Sequence, residues 1–418
     1  MGIARYPVEC PGCASGIILR LGVGHDLRQP FFYVCPTCRA ATRGALLWDR
    51  GAGTKVEIAA GRLLDSEKDC KHTVSINPEI PALPTATGMD VPGGSPFLAF
   101  VQWLGGEQIL RFQSATAQIR HLIDSEWGAL TRLTTYYLNR DWVHFDAALG
   151  SVLPEKQAND LSPEWKRDHY VHFFYDLFLA PIFTLDPEES YLHMKTAYNQ
   201  VWSPDRPNFS ALTALAKEES QTTRFRNIQR DLFECISRYV NLVGALTPGM
   251  LCDLLPEQHQ HEVETLRLFR DDYELLRDLY IQSFETVHKA LRWVIGASNA
   301  DVHGNHARCV PIVGMSQASS KKPPANLDQF SALPNALKRE WLAALPEWHR
   351  RWDRLFDRHL RNDIGHASAR HDLPTGMIFR DKKPPLTYTR FVQQTQRIIQ
   401  PLISTLSAMK IVKIYADM

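Results

Sequence analysis

Four cysteines near the amino terminus limit what this chain can fold into more than any other feature. They form two Cys-x-x-Cys pairs, Cys10/Cys13 and Cys35/Cys38, with 21 residues between them. A tetrahedral zinc ion takes four thiolates, and each Cys-x-x-Cys turn can supply two. A redox motif or a chance cluster predicts one pair more readily than two. The pattern therefore predicts that Cys10, Cys13, Cys35 and Cys38 bind one structural Zn²⁺ ion, because four protein ligands leave no coordination position open for catalysis.

The sequence around these cysteines carries a strand pattern. Short apolar runs at 17–21, 31–34 and 55–58 are separated by Gly and Asp, which is typical of small antiparallel strands joined by turns. Over residues 6–60 the chain resembles the zinc-ribbon family. The resemblance implies a small β zinc ribbon within residues 1–72, which owes most of its folding free energy to the metal and binds either nucleic acid or another protein.

Charge and cysteine usage exclude several classes of protein. The formal net charge is +1, so a chain-wide basic field for nucleic acid is absent and such contacts must come from a local patch. The chain has no apolar run long enough for a transmembrane helix and begins without the apolar segment of a secretory signal. The other four cysteines are scattered. We therefore expect a reducing, cytoplasmic location and no membrane partner.

Breaker residues and helical periodicity divide the rest of the chain. Residues 73–96 contain five prolines and three glycines, which predicts a semi-extended linker. The apolar spacing is helical from residue 97, with a middle region of no assigned role at 97–255 and a long loop at about 297–334. The sequence therefore predicts a mainly α chain with a C-terminal helical bundle over 256–418. The amphipathic stretches that support this prediction are 260–295, 335–362 and 388–413, preceded by another at 223–245.

The candidate chemistry lies at the end of the helix predicted over 335–362. Arg361 and Asn362 are followed by His366, which Gly365 and Ala367 flank. RNA cleavage by attack of a 2′-hydroxyl needs a group that moves protons, as His does near neutral pH, and a cation that stabilises the charged phosphorane, as Arg does. The Arg-x4-His spacing alone occurs four times in this sequence. Position on the apolar stripe of a helix, facing the bundle seam, singles out His366.

The Arg361-Asn362 pair, followed by His366 at the end of a long helix, resembles the motif of the HEPN superfamily. The resemblance covers about 256–418 and implies a HEPN-like bundle with metal-independent endoribonuclease activity on RNA. It implies that Arg361 and His366 are catalytic and that Asn362 supports them. Many members of the family also use one acidic residue on an earlier helix, for which the candidates here are Asp271, Asp272, Glu274 and Asp278. It also implies a homodimer with a composite site, a toxin or anti-phage defence role, and a phage or antitoxin protein as trigger.

Two interpretations without catalysis stay open. In one, the chain is a zinc-ribbon and helical-bundle protein that binds nucleic acid, a nucleotide or a protein partner. In the other, residues 1–72 bind duplex DNA as part of a regulator, although no recognition-helix signal is present. The sequence has no P-loop, nucleophile-elbow or His-Glu-x-x-His motif. RNA cleavage that depends on His366 would separate the nuclease hypothesis from both.

Overall fold

The computed structural model describes most of the chain. The described residues are 2–49, 51–82, 96–152, 208–310, 323–344, 357–365, 368–381 and 383–416, with residues 167, 170, 171, 175, 178 and 179. They form two compact units that are each assembled from separate stretches. The first unit holds residues 1–120, 241–279 and 359–397, and the second holds 121–240, 280–358 and 398–418. The N-terminal cysteines and the segment with Arg361 therefore belong to one unit, which the linear division of the sequence did not predict.

Helices dominate the described residues, so the prediction of a mainly α chain with a small β region is confirmed. The helices, in chain order, are α1 (Pro96–Leu104), α2 (Gly106–Leu122), α3 (Gly128–Asn139), α4 (Trp142–Val152), α5 (Phe209–Ser220), α6 (Thr223–Asn241), α7 (Val243–Asp253), α8 (Tyr273–His303), α9 (Leu327–Ala332), α10 (Asn335–Glu340), α11 (Arg358–Gly365), α12 (Tyr388–Arg397) and α13 (Ile399–Ala416).

The N-terminal strands form two small sheets, which together we call the β module. The strands are β1 (Ile3–Glu9), β2 (Gly16–Gly22), β3 (Arg28–Val34), β4 (Ala41–Asp49), β5 (Gly53–Ile58), β6 (Arg62–Leu63) and β7 (Cys70–Ile76). One sheet has the order β6-β1-β2-β7 and the other β3-β4-β5. All neighbours are antiparallel except β2 and β7. The β1–β2 hairpin and the β3–β4 hairpin each end in a turn that carries one cysteine pair.

The core of the β module continues beyond its own strands. Phe32 on β3 is fully buried and its ring centroid lies 5.5 Å from that of Phe269. The Phe32 N–H donates to the Phe269 carbonyl over 3.1 Å. An isolated ribbon would expose this edge of β3 to water. The β module is therefore an integral part of the first unit.

The segment predicted as a linker at 73–96 begins as structured chain. Residues up to Ile76 belong to β7, which pairs with β2, and residues 77–82 are all buried. Ala82 and Arg267 exchange two backbone hydrogen bonds of 2.8 Å. Proline is tolerated here because the pairing at Ala82 is a single bridge rather than a ladder. Residues 83–95 of the predicted linker lie outside the described residues.

A three-stranded antiparallel meander follows α11 and was not predicted. Its strands are β8 (Ala369–Asp372), β9 (Met377–Arg380) and β10 (Lys383–Thr387). A turn at 373–376 joins β8 to β9, where Gly376 adopts a left-handed φ of 70° and donates its N–H to the Asp372 carbonyl. Glycine suits this position because a Cβ disfavours the left-handed region. The meander leads the chain from α11 into α12.

The helix boundaries differ from the predicted ones where tertiary contacts outweigh local signals. Residues 265–272 are not helical, and α8 starts only at Tyr273. The helix then runs past Gly296 to His303, so the predicted loop starts later. A Cβ at Gly296 would lie within 3.0 Å of Leu327 and Leu215 side-chain atoms. Glycine there permits close packing of neighbouring chain segments and does not end the helix.

Helices α7 and α12 touch through another glycine. A Cβ added to Gly249 would lie 2.8 Å from the Val392 carbonyl oxygen and 3.0 Å from the Gln393 Cα. We expect Gly249→Ala to destabilise the protein by about 1–2 kcal/mol, since overpacking costs about 1–3 kcal/mol and alanine returns up to about 1 kcal/mol of helix propensity.

Urea unfolding of Gly249→Ala measures this difference. Gly150→Ala is the matched control, because no described atom lies within 4 Å of its added Cβ and Gly150 is exposed on α4. The free energy of unfolding of the control should rise by about 0.5–1 kcal/mol. A Gly249→Ala protein as stable as the control would contradict the close helix contact.

Candidate functional site

The two cysteine pairs lie on turns of the same backbone geometry. Cys10 and Cys13 follow β1, and Cys35 and Cys38 follow β3. In each turn the first cysteine carbonyl accepts a hydrogen bond from the residue after the second cysteine, over 2.9 Å and 3.0 Å. Those residues have left-handed φ angles of 57° and 65°. The shared geometry aims the two sulfurs of each pair toward one point.

The four sulfurs are grouped as one metal ion requires. All four Sγ atoms of Cys10, Cys13, Cys35 and Cys38 lie within 4.8 Å of one another. The Cys10 and Cys38 sulfurs are 3.6 Å apart, and those of Cys13 and Cys35 are 3.7 Å apart. A tetrahedron with Zn–S bonds of about 2.3 Å has edges of roughly 3.8 Å. The donor set and its spacing therefore fit a single metal ion held by four thiolates.

Groups beside the cysteines tune the sulfurs, and the sequence pattern gave no sign of them. The hydrogen bond between Cys13 Sγ and Ser15 Oγ, 3.3 Å long, lowers the pKa of Cys13 to about 6. Burial raises the pKa of Cys10 to about 12. The Gly12 N–H contacts Cys10 Sγ at 3.4 Å. Such donors stabilise a thiolate once a cation has displaced its proton.

Helix α11 carries Arg361, predicted to be catalytic, and Asn362, predicted to support it. Arg361 is partly buried, Asn362 is exposed, and Arg361 Nη1 donates to Asn362 Oδ1 over 3.3 Å. The same Nη1 lies 3.6 Å from where a Cβ of Gly365 would stand. The guanidinium therefore lies along the helix toward its last turn. His366, the next residue of the chain, lies outside the described residues.

The end of α11 is anchored by contacts that the sequence did not reveal. Ser368 donates its N–H (3.0 Å) and its hydroxyl (2.8 Å) to the Asp363 carbonyl. The Asp363 carboxylate in turn lies 3.7 Å from Arg380 on β9. Both side chains of this ion pair are mostly buried. The meander thus fixes the helix end at which Arg361 and Asn362 lie.

The four acidic residues suggested by the resemblance all form ion pairs with arginines. Asp271 pairs with Arg43, and Asp272 pairs with Arg270 over 2.7 Å. Glu274 and Asp278 share Arg277. Asp271 and Asp272 are largely buried, whereas Glu274 and Asp278 are exposed and pair within their own helix. The geometry assigns none of them to the chemistry at Arg361.

A further histidine in this unit, His371 on β8, has a structural role that the sequence did not predict. Its ring centroid lies 4.3 Å from that of Tyr388, 5.5 Å from that of Tyr273 and 6.3 Å from that of Phe32. Its Nε2 is buried, with no hydrogen-bond partner among the described residues. Burial lowers the pKa of His371 to about 4. The neutral ring thus connects β3 of the β module to the meander.

The lowered pKa of His371 makes stability depend on pH. The unfolded chain protonates this residue near pH 6.5, whereas the folded chain resists protonation until about pH 4. The contribution of the neutral ring to the free energy of unfolding is therefore complete above pH 6.5 and is lost as the pH falls toward 4. We expect the free energy of unfolding to fall by about 2 kcal/mol between pH 7.5 and 5 because of this residue.

Urea unfolding of wild type and His371→Phe across this pH range isolates the effect. The phenyl ring keeps the aromatic packing and cannot titrate, so the pH dependence should be about 2 kcal/mol smaller in the variant. His121→Gln, at an exposed histidine, should retain the wild-type dependence. Equal slopes for His371→Phe and wild type would contradict the burial of a neutral imidazole.

Among the described residues, no helix combines the length and apolar character needed to cross a bilayer. Comparisons of the chain with protein-family models, with curated proteins and with solved structures return no match.

Proposed function

We propose that the protein is an endoribonuclease of HEPN type that cleaves RNA by attack of the 2′-hydroxyl on the adjacent phosphate. One observation supports the proposal most directly. The Arg361 guanidinium lies against Asn362 and reaches along α11 to Gly365, one residue before His366. A cation and an amide thus belong to one anchored helix end, and His366 is the next residue in the sequence.

The chemistry assigns one task to each residue. The His366 imidazole takes the proton from the 2′-hydroxyl, whose oxygen then bonds to phosphorus. Arg361 stabilises the negative charge that develops on the phosphorane oxygens, because its planar fork matches two of them. The bond from phosphorus to the 5′-oxygen breaks, and that oxygen leaves with the proton that the His366 imidazolium gives back. The products carry a 2′,3′-cyclic phosphate and a 5′-hydroxyl.

We propose zinc as the ion that Cys10, Cys13, Cys35 and Cys38 hold. Four thiolates at a spacing near 3.7 Å suit the tetrahedral preference of Zn²⁺. The bound ion would cross-link the β1–β2 and β3–β4 turns and take no part in the reaction. Its influence on the site would be indirect, through Phe32 of β3 and the His371 ring beside it. The ion would thereby support the meander that anchors α11.

The proposed biological setting comes from the HEPN resemblance. RNA is the proposed substrate, and a homodimer through the helical region would bring two copies of the motif together. A toxin or anti-phage defence role fits a nuclease held inactive until a phage or antitoxin protein changes its state. The partner, the trigger and the defence role all rest on the HEPN resemblance.

A cleavage assay tests the proposal. Zinc-loaded protein is exchanged into buffer depleted of divalent cations by a chelating resin and incubated with total RNA. We expect RNA fragments, because neither His366 nor Arg361 needs a metal for its task. Zinc content is measured on the same sample, so that loss of the structural ion is recognised. Intact RNA with zinc retained, over a range of protein concentrations that spans dimer formation, would contradict the nuclease assignment.

A further inference from the structure

The second unit contains a cavity of about 680 Å³ that the proposed cleavage does not use. The end of α3, the start of α4, the α5–α6 junction, the first turns of α6 and the last turns of α13 line it. Its size falls in the range of about 300–1,000 Å³ that is usual for small-molecule sites. This cavity lies in the middle helical region for which the sequence suggested no role.

The lining is strongly basic in a chain that is nearly neutral overall. Arg140, Arg167, Arg226, Arg230 and Lys413 line the cavity, and no acidic residue is among its lining residues. Arg167 forms an ion pair with Asp146. In the described part of the chain, no carboxylate pairs with Arg140, Arg226 or Arg230. The cavity therefore holds an excess of positive charge that an anionic ligand would balance.

Two of these cations lie next to each other on the same face of one helix. Arg226 and Arg230 are four residues apart on α6 and both are exposed. Like charges at this spacing repel each other and destabilise a helix. The cavity also borders the N-terminus of α6 at Thr223, where backbone N–H groups and the helix dipole favour phosphate. The arrangement suits several negative charges close together.

The remaining lining supplies groups that can contact a base and a sugar. Tyr137 and Trp142 line the cavity together with the amides of Asn227 and Gln229. The Gln229 amide donates to the Tyr137 hydroxyl over 3.1 Å, so its orientation is fixed. Aromatic faces stack on bases, and amides form hydrogen bonds with base edges. The Arg167 guanidinium lies 4.8 Å from the Trp142 ring centroid and covers one face, so a base would stack on the other. Inorganic phosphate alone would leave these groups unused.

We infer that this cavity binds a nucleotide carrying several phosphates, with the phosphates at Arg226 and Arg230 near the start of α6 and the base toward Tyr137 and Trp142. A purine nucleoside triphosphate has both the charge and the size that the cavity accommodates. The inference does not depend on RNA cleavage, because all the lining residues belong to the second unit.

Calorimetric titration of the full-length protein with ATP, AMP and tripolyphosphate tests the inference. We expect saturable binding of ATP that is tighter than binding of either other compound, since each lacks one half of the recognised chemistry. In Arg226→Gln/Arg230→Gln, the ATP affinity should fall at least about tenfold. Arg132→Gln/Arg238→Gln removes the same charge from exposed positions outside the cavity and should bind ATP as wild type does.

A second variant separates binding from folding. Arg140 holds a left-handed φ of 57° at the end of α3, a conformation that favours glycine. Arg140→Gly should therefore weaken ATP binding several-fold while its melting temperature stays unchanged or rises. Absence of saturable ATP binding to wild type, or equal loss in the two double variants, would overturn the inference. Tripolyphosphate binding as tight as ATP binding would reassign the cavity to inorganic polyphosphate, and binding of an RNA oligonucleotide alone would reassign it to RNA.

Discussion

Replacing Cys35 by serine is expected to abolish binding of the proposed zinc ion and to unfold the β module. Cys35 is fully buried at the end of β3, within 4.8 Å of the other three cysteine sulfurs. Serine cannot supply the thiolate that the proposed zinc requires. Structural zinc sites contribute an apparent binding free energy of about 10–16 kcal/mol, comparable to or larger than the net stability of a typical domain. A small pair of sheets cannot replace that contribution by burial alone.

Metal content and proteolysis measure the outcome. We expect one equivalent of zinc per chain for wild type and much less than one for Cys35→Ser, together with rapid cleavage within residues 2–76. Cys70→Ser is the matched control, because Cys70 lies on β7 outside the four-sulfur cluster. The control should keep its zinc and its protease resistance. A Cys35→Ser protein with full metal content and wild-type melting would show that the cluster does not bind the ion.

Replacing His366 by alanine is expected to reduce RNA cleavage by about 10²–10⁴-fold, the usual contribution of a positioned acid–base group. The loss should appear in kcat, since the imidazole acts on the 2′-hydroxyl in the transition state and not on RNA binding. Arg361→Lys should also reduce kcat, because an ammonium keeps the charge but lacks the fork that matches two phosphorane oxygens. Initial rates on a fluorescently labelled RNA oligonucleotide measure both effects.

His359 on the same helix provides the matched control. Its side chain is exposed on α11, seven residues before His366 in the sequence, and it has no role in the proposed chemistry. His359→Ala should cleave RNA at a rate near that of wild type. If His366→Ala and wild type cleaved equally fast, or if both histidine variants lost activity to the same extent, His366 would not be the proton-transferring group.

The cysteine cluster could be foreseen because its information is local. Two Cys-x-x-Cys turns specify their own geometry, and binding of one metal ion is the simplest reason for their four cysteines to meet. The contact of Arg361 with the Gly365 end of α11 was not predicted, because the predicted helix ended at residue 362, whereas α11 continues to Gly365. The anchoring of α11 was not predicted either, because Asp363 and Arg380 come together only through the meander.

Other features depended on contacts that no local pattern encodes. Val263, Leu266 and Phe269 follow helical spacing, yet residues 265–272 are not helical because Phe269 fills the core of the β module. The strands β8 and β10 lack the regular apolar alternation that announces a strand. The prolines of 73–82 indicated a spacer, whereas burial and the bridge to Arg267 hold that segment in place. Tertiary packing outweighed local propensity in each case.

The ends of the RNA fragments test the proposed mechanism most directly. A short synthetic RNA is incubated with zinc-loaded wild type or with His366→Ala in buffer depleted of divalent cations, and the products are weighed by mass spectrometry. The 2′-hydroxyl mechanism requires that wild type, and not His366→Ala, produces fragments that end in a 2′,3′-cyclic phosphate. The mass of each such fragment is lower by one water molecule than that of the same fragment with a linear phosphate. Fragments with 3′-hydroxyl ends, or the same cyclic ends from His366→Ala, would contradict it.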